Sequence, residues 1–139
     1  MAERPTRAHG GRLKPRKATN LARLSVIVDD HDGYAVVTVA GEVDVTTGSL
    51  LREPLHDLVR GGSLHHVADL RGVTFLDSTG LGILVGDHKR LRDRGGSLQL
   101  VCGSGPVTRV LRVTGVGRVL PVRPTVEAAV ALLDQPDSA

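Results

Sequence analysis

Val73-Thr74-Phe75-Leu76-Asp77-Ser78-Thr79-Gly80-Leu81-Gly82 carries an apolar run, through Asp-Ser-Thr, into a glycine-bearing segment. Ahead of it, Leu64 to Leu70 reads as a short strand. Behind it, Ser78 to Arg94 places Leu81, Leu84, Val85, His88 and Leu91 on one helical face, and Gly95-Gly96 closes the pattern. Another β-rich run follows, Leu98 to Cys102. Strand, helix and strand with short connections imply parallel pairing through a crossover helix.

The same alternation extends in both directions. Leu24 to Val28 and Tyr34 to Ala40 are β-branched runs around Asp29-Asp30-His31-Asp32-Gly33, a hairpin signal. Thr46 to Arg60 has Leu50, Leu51, Leu55 and Leu58 at helical spacing and ends at Gly61-Gly62. Pro106 to Thr114 is a third helix, with Val107, Val110, Leu111 and Val113, stopped by Gly115. Val119 to Val122 reads as a last strand, and Thr125 to Leu133 as a last helix with Thr125 as its cap. The order is ββαβαβαβα, an α/β domain with a mostly parallel five-stranded sheet and four packed helices. Right-handed crossovers leave few topologies for that order.

At 139 residues the chain fits one domain. Tyr34 and Phe75 are its only aromatic residues among Phe, Trp and Tyr, so the core is aliphatic and there is no platform for base stacking. Residues 1–23 carry seven Lys/Arg against the single acid Glu3, a net +6. Residues 24–139 carry eleven against fourteen acids, a net −3. Residues 1–22, with Pro5, Gly10, Gly11 and Pro15 and no sustained periodicity, read as a disordered basic tail. Residues 23–134 form the domain, and 135–139 a disordered end. No apolar stretch approaches the roughly 20 residues that span a bilayer, and the basic start lacks the apolar segment of a signal peptide. The expectation is a cytoplasmic protein. Cys102 stands alone in Leu98-Gln99-Leu100-Val101-Cys102, which excludes an internal disulfide and reads as a core or strand-end position.

Asp77 and Ser78 are good helix-capping residues, since their side-chain oxygens accept from free backbone N–H groups. Capping alone does not account for Gly80 and Gly82 in the first turn, where each costs about 0.5–1 kcal/mol relative to Ala. A phosphate on Ser78 would sit at the positive end of the helix dipole. At 100° per residue, Thr79, Gly82, Ile83, Gly86 and Arg90 line the side opposite the apolar face, with Ile83 as an apolar anchor for a partner. A serine hydrolase is not indicated: Asp-Ser-Thr-Gly is not a nucleophile elbow, and His88 lies about 15 Å along the helix. His65 and His66 are adjacent in a strand, point to opposite faces and cannot chelate one ion. Gly103-Ser104-Gly105 lacks the Lys-Ser/Thr of a P-loop and reads as a turn. No metal, cofactor or catalytic residue is expected.

Val73 to Leu84 (VTFLDSTGLGIL) resembles the phosphorylation-site motif of STAS-domain anti-sigma factor antagonists. Gly41-Glu42-Val43-Asp44 resembles the family's Gly-Glu-x-Asp segment, Asp69-Leu70 its Asp-Leu at the end of the third strand, and Val107 to Val122 its helix–Thr-Gly–strand block. The resemblance covers about residues 24–133. It departs at Gly48-Ser49, where family members often carry a proline, and in the basic tail, which has no counterpart. It implies that Ser78 is the phosphoacceptor, with Asp77 beside it, Asp44 near it on the adjacent loop, and Thr79 and Gly80 completing the motif. It also implies partners: an anti-sigma factor that is itself a serine kinase, a serine phosphatase, and a sigma factor freed when the antagonist binds, with the antagonist a monomer or weak dimer. The alternative is a STAS scaffold or small-ligand (nucleotide or lipid) module without a sigma-factor partner.

Overall fold

The computed structural model describes residues 17–21 and 23–133. A single six-stranded sheet runs in the order β1 (Lys17–Leu21), β2 (Leu24–Asp30), β3 (Ala35–Val43), β4 (His65–Leu76), β5 (Ser97–Val101) and β6 (Val122–Arg123). The first three strands are antiparallel neighbours, whereas β3, β4, β5 and β6 pair in parallel. The connecting helices are α1 (Gly48–Arg60), α2 (Ser78–Asp93) and α3 (Pro106–Thr114), with α4 (Val126–Leu133) at the end. All five expected strands and four helices are present, and β1 is added to them.

Strand alternation divides the core. Leu24, Val26 and Val28 of β2, Val37 and Val39 of β3, Ala68 and Leu70 of β4, and Leu98 and Leu100 of β5 join one cluster with Leu51 and Leu55 of α1, Leu84 and Leu91 of α2, and Val107 and Leu111 of α3. The intervening residues Val36, Val67 and Val101 face the other way, onto Val126, Ala129, Val130 and Leu133 of α4. Three helices therefore cover one face of the sheet and one helix covers part of the other.

Four expectations change. Lys17 to Leu21, expected inside the basic tail that ends at residue 22, forms a strand that pairs in antiparallel register with Val28 to Leu24. A short polar edge strand needs no apolar alternation, because the pairing satisfies its backbone; this is why composition alone read as a tail. The remainder of that tail, residues 1–16 and 22, and residues 134–139 lie outside the described residues. The third expected strand does not stop at Leu70 but continues to Leu76, twisted past irregularities between Thr38 and Ala40 and between Gly41 and Glu42 on its neighbour. The last strand is Val122–Arg123, because Val116–Arg118 winds into a 3-10 turn that leaves Val119 exposed. The α2 phase also shifts. Its buried residues are Gly80, Ile83, Leu84, Asp87, His88 and Leu91, so Ile83 does not point to solvent. Helix α1 lies against that side, and a β-carbon on Gly48 would stand 3.1 Å from both Ile83 Cδ1 and Thr79 Cγ2. A helix that packs on both a sheet and a neighbouring helix buries a wider stripe than its aliphatic residues mark.

Candidate functional site

Ser78 is the first residue of α2 and is exposed. The preceding residue does the capping. Asp77 is extended, and its Oδ1 accepts from the backbone N–H of Thr79 at 2.9 Å and of Gly80 at 3.2 Å. Two of the four N–H groups a helix start leaves unpaired are thereby satisfied. The Ser78 hydroxyl is left without a hydrogen bond to any described residue, so the division of labour within Asp77-Ser78 frees the serine oxygen. Gly80 is buried beneath it. A β-carbon there would lie 2.3 Å from Leu76 Cδ1 and 3.0 Å from Val43 Cγ1, so glycine lets the first turn settle onto the ends of β3 and β4. Gly82 differs, because a β-carbon there would meet nothing within 4 Å.

The neighbouring loop is built by Gly41-Glu42-Val43-Asp44. Gly41 has φ +111°, and a β-carbon on it would stand 2.1 Å from the Arg23 carbonyl oxygen. That carbonyl accepts from the Glu42 N–H at 2.8 Å, and the Arg23 guanidinium donates to Glu42 Oε1 at 2.9 Å and to Asp44 Oδ2 at 2.6 Å. The other Asp44 oxygen accepts from the N–H of Thr46 at 2.9 Å and of Thr47 at 3.0 Å. The buried Thr47 hydroxyl donates to the Glu42 carbonyl at 2.8 Å. Arg23 first, then the Thr47 N–H, hold the Asp44 carboxyl far below the usual carboxylate range. Asp44 thus shapes the loop where β3 gives way to α1. The structure brings this loop beside the serine loop, since the Asp77 N–H donates to the Val43 carbonyl at 3.3 Å and Val43 pairs with Leu76. The Asp44 carboxylate is nonetheless taken up by Arg23, Thr46 and Thr47 rather than by Ser78.

Two apolar side chains at this end of the sheet escape the sequence reading. Val45, on the loop after Asp44, is 80% exposed, and Phe75, opposite Glu42 in register, is 48% exposed. In a strand bordering a buried turn, an apolar residue two before the cap reads as core. The available signal was that the chain's one phenylalanine falls on the strand position facing away from Leu76.

Elsewhere the candidate ligands are structural. His65 Nδ1 bonds Ser97 Oγ at 2.9 Å, while His66 turns to the opposite face and bonds Asp87. Cys102 is buried, and burial with the nearby Asp69 charge pushes its thiol up to about 11. A thiol held neutral is a poor nucleophile. Among the described residues no group of three His, Cys, Asp or Glu is placed to hold a metal, and no helix is long and apolar enough to cross a membrane.

Comparison with known proteins places this site in a family. The STAS domain model matches residues 25–129. An anti-sigma-B factor antagonist of Bacillus subtilis is 34% identical over 107 residues, covering 77% of this chain and 97% of that one. An anti-sigma F factor antagonist of Paenibacillus polymyxa is 27% identical over 100 residues, covering 71% of this chain and 86% of the other. Among solved structures, an anti-sigma factor antagonist from Mycobacterium paratuberculosis superimposes with a TM-score of 0.75 at 30% identity, covering 81% of this chain and 95% of its own. The matched span runs from β2 into α4 and contains the loop of Asp44, the cap of Asp77 and Ser78, and the chain belongs to the STAS domain family.

Proposed function

We propose that this protein is an anti-sigma factor antagonist acting in the cytoplasm. Unphosphorylated, it binds an anti-sigma factor that is a serine kinase and so frees a sigma factor; phosphorylation of Ser78 switches it off, and a serine phosphatase restores it. The observation that carries the reading is the exposed Ser78 hydroxyl at the first position of α2, left free because Asp77 takes the cap. A kinase reaches such a hydroxyl without unfolding the helix.

The docking surface follows from the same end of the sheet. Ser78, Thr79 and Gly82 present the outward start of α2, Val45 and Phe75 add exposed apolar area, and Asp44, Asp77 and Gly80 hold the two loops in register. Ile83 takes part by positioning Thr79 and Gly82, from a buried place. A phosphate adds about −1.5 to −2 charges at pH 7. Because the Asp77 carboxylate already occupies the Thr79 and Gly80 N–H groups, the phosphate has no vacant cap to fold into and projects toward the partner. Burying an unpaired charge there costs about 4 kcal/mol, enough for roughly a 1,000-fold loss of affinity. No rearrangement of the domain is needed.

The test combines intact mass and binding. Incubation with the kinase and ATP should add one phosphate to the wild type and none to Ser78→Ala. Ser78→Ala should still bind the unphosphorylated partner surface, whereas Ser78→Asp should bind more weakly. A phosphate that persists on Ser78→Ala would move the switch elsewhere.

A further inference from the structure

Helices α1 and α2 run side by side in the same direction, because each crosses between parallel strands on the same face of the sheet. Between them lies a groove of about 260 Å³ that starts at Thr79, one residue beyond Ser78. Arg52 and His56 of α1 and Arg90 of α2 line it, with Ile83 forming its floor and Gly82 and Gly86 its low wall. The lining is cationic although residues 24–139 carry a net −3.

Two of these side chains, Arg52 and His56, have no carboxylate partner among the described residues. Arg52 and His56 make no ion pair or hydrogen bond to any described residue; the nearby Asp57 is paired with Arg60 instead. Arg90 Nη2 pairs with Asp87 Oδ1 at 3.5 Å, the oxygen that the His66 bond to Oδ2 leaves open. The Arg90 Nε is itself buried without a partner. The guanidinium folds back over Gly86, with Nη1 3.4 Å from where a β-carbon would stand. Arg52, His56 and the Arg90 Nε thus line the groove without an acceptor among the described residues.

Size and backbone decide what fits. Ligand pockets for drug-sized molecules usually span about 300–1,000 Å³ and enclose most of the ligand; this groove is smaller. Phosphate-binding sites commonly use free backbone N–H groups at a helix start or in a nest. The groove runs from the first turn of α2, where Asp77 already takes the Thr79 and Gly80 N–H groups, along stretches whose N–H groups are spent within the helix. A polypeptide carrying carboxylate side chains matches better: the glycines let its backbone approach, Ile83 gives apolar contact, and Arg guanidinium groups pair bidentately with carboxylates.

We propose that the α1–α2 groove receives an acidic segment of the protein partner, with Arg52 and Arg90 clamping its carboxylates and His56 adding a donor. This rests on the reading of the chain as an anti-sigma factor antagonist and extends it to the partner's chemistry. It also ties the groove to the switch. Arg52 lies about one helical turn past the start of the groove, within a Debye length of a phosphate on Ser78. The phosphate would compete for the same cations and repel the acidic segment.

The experiment has two arms. In the first, the isotopically labelled full chain is titrated with hexaglutamate at low and at physiological ionic strength, with hexalysine and inorganic phosphate as controls. The Gly82 and Gly86 amides and the Arg90 Nε–H should move with hexaglutamate only, and Arg52→Glu should weaken binding about tenfold or more. Shifts confined to another face, an undiminished response in Arg52→Glu, or an equal response to phosphate would overturn the assignment. In the second arm, a purified anti-sigma factor is titrated with wild type, Arg52→Glu, His56→Gln and Ser78→Glu. Arg52 and His56 make no hydrogen bond or ion pair among the described residues, so these variants should keep the fold, which a thermal melt verifies. Weaker binding by Arg52→Glu, with a flatter salt dependence, supports the groove. Binding of Arg52→Glu and His56→Gln within twofold of wild type, while Ser78→Glu is lost, sinks the groove and keeps the switch. Normal binding by Ser78→Glu sinks the switch independently.

Discussion

His66 Nδ1 lies 2.7 Å from Asp87 Oδ2 with both side chains fully buried, a polar bond between the central strand β4 and the serine-bearing helix α2. The other ring nitrogen is 2.9 Å from the Ser63 carbonyl, which can only accept, so Nε2 carries a proton. The pair fixes the rotation of α2 about its axis, and with it the direction in which Ser78 and Thr79 face. Removing one member of a buried pair strands the other and costs about 3–5 kcal/mol. Asp87→Ala should therefore lower the melting temperature by about 10 °C or more, using roughly 4 °C per kcal/mol, where the ranges for smaller and larger domains meet. A melt within 2 or 3 °C of wild type, roughly the experimental resolution on that scale, would show that the pair contributes little to stability.

Ile83 and Phe75 give a paired test of where the apolar docking area lies. Ile83 is 7% exposed between α1 and the sheet, whereas Phe75 is 48% exposed. Ile83→Ala should cost about 2–4 kcal/mol of stability, as for a buried aliphatic truncation. Phe75→Ala should cost under about 1 kcal/mol yet weaken partner binding by roughly 1–3 kcal/mol, in the range of a buried apolar contact. Val45→Ser should behave like Phe75→Ala. Thermal melts alongside titrations against the anti-sigma factor separate the two effects. Normal binding by both Phe75→Ala and Val45→Ser would remove this patch from the interface.

What was legible in the chain follows from how local each determinant is. Asp77 as a cap, the start of α2 at Ser78 and α3 over Pro106–Thr114 depend on near neighbours, and the sequence pattern places them where the structure has them. The Gly-Glu-Val-Asp loop was visible as a motif, but its reason was not: Gly41 is required by the Arg23 carbonyl, 18 positions earlier. Ile83 was misplaced because periodicity counts apolar residues, and the buried stripe of α2 includes the charged Asp87 on the Ile83 side. The Asp87 carboxylate is buried against His66, a partner that no helical wheel contains. Phe75 and Val45 are apolar residues that the fold leaves outside. Strand β1 was missed because its determinant is the open edge of β2 rather than its own composition.

That edge strand makes a prediction of its own. A chain beginning at Lys17 and one beginning at Arg23 differ by the whole of β1, while both keep Arg23 and its bonds to Glu42 and Asp44. Loss of β1 opens five register positions of β2 to water. At roughly 0.5–1.5 kcal/mol net per lost backbone bond, with water replacing part of each, the shorter chain should be less stable by about 1–3 kcal/mol. It should also self-associate more, because an uncovered strand edge recruits other strands. Denaturant melts and sedimentation of the two chains check both effects. Equal stability would return the domain boundary to Arg23.

The Asp44 loop sets how the site responds to acid. Arg23 and the N–H groups of Thr47 and Thr46 depress the Asp44 carboxyl in the folded chain, whereas in the unfolded chain it titrates near 4. A depressed folded value means that the unfolded state takes up the proton first as pH falls. The contribution of Asp44 is therefore fully present above about pH 4 and is lost progressively below it, through the folded value. Neutral pH leaves it untouched. Asp44→Asn removes the titrating group and its ion pair with Arg23 while keeping an oxygen that can accept from Thr46 and Thr47. Melts from pH 7 down to about pH 3 should show the variant starting lower at neutral pH and falling less steeply below about pH 4, so that the two curves converge in acid. Parallel curves across the whole range would mean that Asp44 is not differentially protonated on unfolding. The Arg23 bridge would then not be what holds the loop beside Ser78.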